Sequence, residues 1–490
     1  MKYLMALDIG TSAVKAALFD TAGHSAGIVQ EEYELEKPAP DIVEIDPEIY
    51  WQATQSTIAA LLKISGVAPG DVPAIGITSQ GETLIAVDQE GNALRKAIVW
   101  LDNRAVREAE AIAAAFDLDE VYRITGQQEI VPGWTASKIL WLRNNEPEIF
   151  RKTAKFLLVE DYIIHKLTGR DVTDHALAPS TLYYDLQAGD WWDGMLGFLG
   201  ISRTQLPKLQ YSGENGMPVI AEIGLHRDTL VVTTPIDQVA GAVGAGNISP
   251  GMVAETTGTA MAISACCAKP VHDPQKRVGL YCHATPGSYV LLPWIPTAGM
   301  ILRWFRDELG GDLSFDEMDQ EAMQVPAGSD GLLLLPHFGG AVCPQVNPSA
   351  KGVLYGLSLG HTRGHIVRAI MESVAFILKE NLEMLDALGI ETQTVCSIGG
   401  GAQSDLWLQI KADVLNREIR TTETREATCL GVAILAAVGA GIYPDLGQAV
   451  AQMVRYKPSV QPNPEAVGAY AEHYGKYLEL NQLLLPTFGE

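Results

Sequence analysis

Two apolar runs, Tyr3–Leu7 and Val14–Phe19, flank the segment Asp8-Ile9-Gly10-Thr11-Ser12, and this interval constrains the fold more than any other. An acidic residue ends a strand, a glycine and two hydroxyl residues turn the chain, and Lys15 follows on the returning strand. Such a turn aims backbone N–H groups and hydroxyls at one spot beside a carboxylate. That arrangement can hold a polyphosphate and its Mg²⁺ without a Walker loop. Ordinary hairpins also use Asp-Gly-Thr turns, so the segment gains meaning from two partners further along. Thr257-Gly258-Thr259 lies between the runs Met252–Thr257 and Ala260–Ser264 and resembles a second phosphate-facing hairpin. Gly399-Gly400-Gly401-Ala402 follows the strand-like Thr394–Ile398 and precedes a helix from about Ser404. Glycines there let the backbone approach a ring or ribose closely, and they also make a plain strand-to-helix turn.

The remaining pattern alternates strands and helices, which points to an α/β chain. Strands are expected at Ala74–Thr78, Leu84–Val87, Ala97–Val99, Leu230–Thr233 and Leu332–Leu335. Helices are expected at Pro47–Ile64, Arg104–Ala114, Ala136–Arg143, Glu160–Leu167 and Ile366–Leu385, the first opened by Asp46-Pro47 as cap and first turn. At 490 residues the chain is too long for one ordinary core, so two domains are expected. The Gly, Asn, Ser and Pro near Gly246–Pro250 mark the boundary, giving domains 1–246 and 247–490. Ala242-Val243-Gly244-Ala245-Gly246 recurs as Ala437-Val438-Gly439-Ala440-Gly441, small residues that suit a close helix crossing and a hinge, or a coincidence of Ala/Gly-rich composition.

A net charge of −24 argues against a nucleic-acid partner. No apolar run reaches the roughly 18 residues of a membrane span, and the start of the chain enters a strand directly, which reads as cytoplasmic. The six cysteines show no C-x-x-C spacing, so neither zinc nor a disulfide framework is expected.

Candidate ligand residues gather just past strand ends, where open α/β sheets bind ligands. They are Gln80-Gly81-Glu82, Asp102 in Asp102-Asn103-Arg104, and Asp237-Gln238. Asp237 reads either as a base accepting a hydroxyl proton or as a helix cap. Trp100 and Trp134 read either as platforms for an apolar sugar face or as core.

Two long motifs carry a family resemblance over essentially the whole chain. Gly133-Trp134-Thr135-Ala136-Ser137-Lys138-Ile139-Leu140-Trp141-Leu142-Arg143-Asn144-Asn145 is one. The other is Gly352-Val353-Leu354-Tyr355-Gly356-Leu357, seven residues, then His365-Ile366-Val367-Arg368-Ala369-Ile370-Met371-Glu372. Both resemble the signatures of the FGGY carbohydrate kinases, in the actin/Hsp70/hexokinase superfamily. The resemblance implies two ribonuclease-H-like (actin-like ATPase) domains with an inter-lobe cleft, the sugar on the N-terminal lobe and ATP mostly on the C-terminal lobe. It implies Asp8 at the Mg²⁺ and Asp237 as catalytic base. It implies Gly10, Thr11, Ser12, Lys15, Gly258, Thr259, Gly400, Gly401 and Ala402 around ATP, and Gln80, Gly81, Glu82, Asp102, Trp134, Asp237 and Gln238 around the sugar. Within the family the chain looks most like xylulokinases, which implies D-xylulose as substrate, and a homodimer is common among relatives. Those enzymes usually carry Gln-Met-His and Asp-Asn where this chain has Gln80-Gly81-Glu82 and Asp237-Gln238. Both departures lean toward glycerol kinase, whose Arg-Glu is here Gly81-Glu82, so glycerol, gluconate or another ketose or polyol stays open. An actin- or Hsp70-like ATPase acting on protein, and a sugar-binding sensor, are the readings of another class.

Overall fold

The computed structural model describes residues 1–311 and 313–489. They form two compact units: Met1–Ile248 with Ala268–Val290 and Glu426–Arg455, and Ser249–Cys267 with Leu291–Arg425 and Tyr456–Glu490. The first passage between units, at Ile248, falls just beyond the expected boundary at 246. A single cut does not describe the division, because two later stretches return to the first unit.

In the first unit a six-stranded sheet runs in the order Met217–Pro218, Leu230–Thr233, Ala74–Ser79, Tyr3–Ile9, Ala13–Asp20, Ser25–Glu32. Tyr3–Ile9 pairs antiparallel with Ala13–Asp20 and parallel with Ala74–Ser79, which in turn pairs parallel with Leu230–Thr233. Three carboxyl ends therefore reach one edge of the sheet, carrying Asp8, Gln80 and the approach to Asp237. The period of two is visible in burial. Met5, Leu7 and Ile9 enter one core, with Trp51, Leu61 and Ile163, while Leu4 and Ala6 enter the other, with Val232, Val243 and Leu430. The sheet thus has apolar cover on both faces, so its strands read as continuous apolar runs. The Pro47–Ser65 helix begins as expected, with Asp46 accepting the Glu48 N–H at 3.0 Å, and ends at Gly66 with φ 66°.

The return of Glu426–Arg455 has a local cause. The Ala427–Gly439 helix crosses the Asp237–Gly244 helix so closely that a Cβ on Gly431 would lie 1.9 Å from the Ala240 carbonyl oxygen. A Cβ on Gly244 would lie 1.8 Å from the Ala427 carbonyl oxygen. The close crossing anticipated from the small-residue echo is therefore present, but it runs through Gly244 and Gly431. Gly439 instead faces Val232.

The second unit repeats the plan. Met261–Cys267, Met252–Thr257, Thr394–Ile398 and Ile419–Arg420 lie side by side, the first pair antiparallel and the others parallel. The Arg363–Ala387 helix buries Ile370, Val374, Ile377 and Leu385 from its expected apolar face. No helix among the described residues is long and apolar enough to cross a membrane.

Gly431→Val should destabilise the first unit by about 3 kcal/mol, since two backbones must separate to admit the side chain. Chemical denaturation checks this; an unchanged midpoint would show that the crossing is not close-packed.

Candidate active site

In the first unit, the turn after Tyr3–Ile9 is held from several sides. Gly10 donates its N–H to the Ala13 carbonyl at 2.9 Å, and the Gly10 carbonyl accepts from the Tyr33 hydroxyl at 2.5 Å and Gln80 Nε2 at 3.2 Å. Trp100 Nε1 donates to the Thr11 hydroxyl at 2.9 Å, and that hydroxyl donates to Gln80 Oε1 at 3.4 Å. Gln80 also donates to the Tyr50 hydroxyl at 3.0 Å and is buried. The Gln80 side chain therefore braces the turn. Trp100 does the same through its N–H. Ser12 is exposed at the tip, and its carbonyl accepts the Tyr33 N–H at 2.9 Å.

Asp8 is half-buried and lies across the hairpin from Lys15. Burial raises its pKa to about 6, against the attraction of Lys15. Lys15 is not a free cation: its ammonium pairs with Glu426 at 2.5 Å. Burial pulls the ammonium pKa down, but this ion pair outweighs it and leaves the group above its ordinary value.

Asp237 opens the Asp237–Gly244 helix as its first residue; the cap position belongs to Ile236. Burial, with the negative charge of Asp8 and then of Glu82, raises the Asp237 carboxyl to about 8, against one N–H bond from Gln238 at 2.7 Å. Asp8, Glu82 and Asp237 thus share one electrostatic neighbourhood. Glu82 sits at φ 49°, the left-handed region that a residue with a Cβ seldom adopts. Its backbone carbonyl accepts from the fully buried Lys138 Nζ at 2.8 Å. Burial raises the Glu82 carboxyl and lowers the Lys138 ammonium, each opposed by the attraction between them. Gly81 is enclosed: a Cβ there would meet Ile236 Cδ1 at 2.9 Å and Ser180 at 3.0 Å. Gln238 is half-buried beside Asp237.

Asp102 and Trp134 differ in kind. Asp102 is fully buried, and its carboxylate accepts from Val43 N (2.6 Å), Arg104 N (3.0 Å), Arg104 Nε (2.8 Å) and Arg104 Nη2 (2.7 Å). These four bonds fill the acceptor capacity of a carboxylate, so Asp102 organises its own loop and has none left for a sugar hydroxyl. Trp134 donates its indole N–H to the Glu129 carbonyl at 2.9 Å and is 8% exposed.

In the second unit, Gly258 and Thr259 form the expected turn, with Gly258 N–H on the Ala260 carbonyl at 2.9 Å. The carbonyls of Gly258 and Thr259 accept from Gly299 at 2.9 Å and Ala298 at 3.0 Å. Gly399 has φ 81°, followed by the short turn Gly400–Gln403, and a Cβ on Gly401 would lie 2.7 Å from Thr257 Cβ. Gly400 is exposed, Gly401 and Ala402 are buried, and Ser404 caps the Asp405–Leu415 helix by accepting the Trp407 N–H at 3.0 Å.

The chain matches the FGGY family of carbohydrate kinases in both of that family's parts, the N-terminal domain over residues 3–244 and the C-terminal domain over 252–440. A xylulose kinase of Bacillus subtilis is 32% identical, over 97% of this chain and 96% of its own. The chain belongs to the FGGY family of carbohydrate kinases. It is therefore a phosphotransferase acting on sugars with ATP, and the readings as a protein-acting ATPase or a sensor give way. A gluconokinase of Bacillus subtilis is 31% identical over 98% of this chain and 96% of its own. A ligand-bound xylulose kinase from Lactobacillus acidophilus superposes with a TM-score of 0.91 at 28% identity, over 100% of this chain and 99% of the other. The expected two-domain kinase fold is thereby shown.

Sequence reasoning missed Lys138, Tyr281 and Lys411. Tyr281 lies among Glu82, Gln127, Glu129 and Asp237, and burial with those charges keeps its phenol protonated. Lys138 stood inside the first family motif, the one signal that pointed to it. Asp102→Asn should cost about 1–3 kcal/mol, because an amide cannot accept all four bonds, though Arg104 keeps its pair with Glu44 at 2.8 Å, and it should leave the sugar KM within about twofold. Denaturation and steady-state kinetics check this; a raised KM with unchanged stability would return Asp102 to the sugar contacts.

Proposed function

We propose that the protein transfers the γ-phosphoryl group of Mg-ATP to a hydroxyl of D-xylulose, giving D-xylulose 5-phosphate. One observation carries the chemistry: the Asp237 carboxyl, half-buried beside Asp8 and Glu82, has its pKa raised to about 8. A carboxylate of that basicity is matched to accepting a hydroxyl proton near neutral pH. Asp237 takes the proton, and the oxygen attacks phosphorus in line while the bond to ADP breaks. Thr11, the Gly258-Thr259 turn and the Gly400–Ala402 turn are assigned to the nucleotide, with Gly10 and Ser12 lending backbone to the phosphates. Phosphoryl transfer asks mainly for such positioning. Lys15 acts through its pair with Glu426, setting the potential at Asp8.

The donor set fits Mg²⁺ in the manner of a substrate-borne ion. Asp8 accepts no side-chain hydrogen bond among the described residues, and no group of three or more His, Cys, Asp or Glu among those residues could hold an ion unaided. Mg²⁺ is commonly held by one or two carboxylates plus substrate phosphates. When bound, it neutralises phosphate charge.

For the sugar, Glu82, Gln238 and Tyr281 are the assigned contacts, with Gly81 and Trp134 shaping the wall. The acidic character of Asp8, Glu82, Asp237 and Glu129 supports a neutral substrate over gluconate. D-Xylulose rests on the relatives' names. Glycerol remains the second reading, favoured by Glu82 and Asp237-Gln238.

We infer a cytoplasmic setting from the six free cysteines and the demand for ATP. We also infer a homodimer. Tyr355, Leu357 and Leu359 are exposed beside the Val353–Tyr355 strand, and the sequence from Gly331 to Met371 contains no Asp or Glu. Carboxylates that reach this stretch from outside it are already engaged, Asp330 by His365 at 3.1 Å and Glu321 by Arg363 at 2.5 Å, so two chains of this charge can meet there. Sedimentation should give a dimer that Leu357→Glu with Leu359→Glu dissociates; an unaltered dimer would place the contact elsewhere.

A coupled ADP-release assay across D-xylulose, L-xylulose, D-ribulose, L-ribulose, glycerol, gluconate and erythritol should give D-xylulose the highest kcat/KM. A larger value for glycerol would overturn the substrate. Asp237→Ala should lower kcat by roughly 10²- to 10⁴-fold with Mg-ADP still bound. In the parent, kcat/KM should fall as pH drops below about 8, where Asp237 gains its proton. Glu82→Gln removes a neighbouring negative charge, lowers that pKa and should move this limb to lower pH. A limb that stays in place would detach Asp237 from the proton transfer.

A further inference from the structure

The Met252–Thr257 and Thr394–Ile398 strands end side by side, with Thr256 opposite Ile398. Beneath both ends lies a closed polar network in an otherwise apolar setting. Lys411, on the Asp405–Leu415 helix, and Glu255 are both wholly buried. The Lys411 ammonium donates to Glu255 Oε2 at 2.8 Å, Thr257 Oγ1 at 3.0 Å and Ser397 Oγ at 3.0 Å. The Ser397 hydroxyl donates to Glu255 Oε2 at 2.6 Å, and the Thr257 hydroxyl donates to Glu255 Oε1. Three ammonium protons meet three acceptors, and both hydroxyl protons meet the carboxylate. Every polar group is satisfied, which is the condition under which a buried ion pair holds one geometry.

The network is not remote from the two turns assigned to ATP. Thr257 is the last residue before Gly258-Thr259, and Ser397 lies two residues before Gly399. The turns also meet each other at Thr257. A Cβ on Gly399 would lie 2.9 Å from the Thr257 carbonyl oxygen, and one on Gly401 would lie 2.7 Å from Thr257 Cβ. Thr257, which leads into one turn, is therefore the residue against which the other turn packs, Gly399 on its carbonyl and Gly401 on its side chain.

We propose that Lys411 is the positioning residue of the nucleotide site, setting the Gly258-Thr259 turn and the Gly399–Ala402 turn against each other through Thr257. This rests on the assignment of those turns to ATP. The ammonium touches neither nucleotide nor sugar; it acts through the hydroxyl it holds. A role in stability alone predicts a lower melting temperature and no selective kinetic effect. Positioning predicts a loss that falls on ATP and spares the sugar.

The full chain with Lys411→Met tests this, together with Ser397→Ala, which removes one acceptor and leaves the ion pair. Calorimetry with Mg-ADP alone and steady-state kinetics supply the readouts. Lys411→Met should weaken Mg-ADP binding about tenfold, equivalent to about 1.4 kcal/mol, raise the KM for ATP in parallel and leave the sugar KM unchanged. Ser397→Ala should change the same two quantities in the same direction by a smaller factor, and it decides the matter if Lys411→Met does not fold. Equal affinity for Mg-ADP in a folded variant, or equal rises in both KM values, would overturn the inference. Gly401→Ala is the control for the underlying assignment. If it leaves Mg-ADP binding intact, the turns do not hold nucleotide; if it abolishes binding while Lys411→Met and Ser397→Ala do not weaken it, positioning by Lys411 fails alone.

Discussion

The Ala427–Gly439 helix occupies its place in the first unit only because Gly244 and Gly431 lack side chains at the crossing. Much of the site depends on that contact. Val432 meets Gly76 on the Ala74–Ser79 strand, where a Cβ would lie 2.8 Å from its carbonyl oxygen, so the helix buttresses the sheet whose ends carry Asp8 and Gln80. Glu426, immediately before the helix, is thereby delivered to Lys15. A residue more than four hundred positions away in sequence sets the charge balance beside Asp8. Backbone packing and site electrostatics are two results of one close approach.

The carboxyls of Asp8, Glu82 and Asp237 illustrate why such a site is assembled rather than selected for stability. Each is raised by burial, and Asp237 is raised further by the other two. A folded-state pKa above the unfolded value means the folded chain binds extra protons, so these groups oppose folding as pH rises from about 4 toward 8. The extended apolar cover on both faces of the sheet offsets that opposition.

Local patterns were legible in the sequence, whereas identities of partners were not. The two hairpins, the glycine triplet and the Pro47 helix depend on neighbours a few residues away, so they could be read directly. Gln80 and Asp102 were read as sugar contacts because they follow strand ends. Their side chains are claimed instead by Tyr50, Gly10, Val43 and Arg104, and only the folded chain brings Val43 to Asp102 or Tyr50 to Gln80. Gly431 stands outside the small-residue echo, and nothing local distinguishes it from the other small residues of its helix. Lys411, on the buried face of an amphipathic helix, carries no local signal at all: its meaning lies in Glu255, over a hundred and fifty residues earlier.

The two units place a lysine–glutamate pair beneath a comparable hairpin, and they do so in different media. Lys15 and Glu426 keep about a quarter of their side-chain surface in water, whereas Lys411 and Glu255 keep none. A partly solvated pair is screened by salt and adjusts its geometry at little penalty. A dry pair with every donor and acceptor occupied adjusts only by breaking several bonds at once. The pair at the first hairpin, next to the raised carboxyls, is therefore the one that responds to ionic strength. The second presents a fixed surface. One chain has therefore built two hairpins of the same plan, one held by an adjustable ion pair and the other by a fixed one.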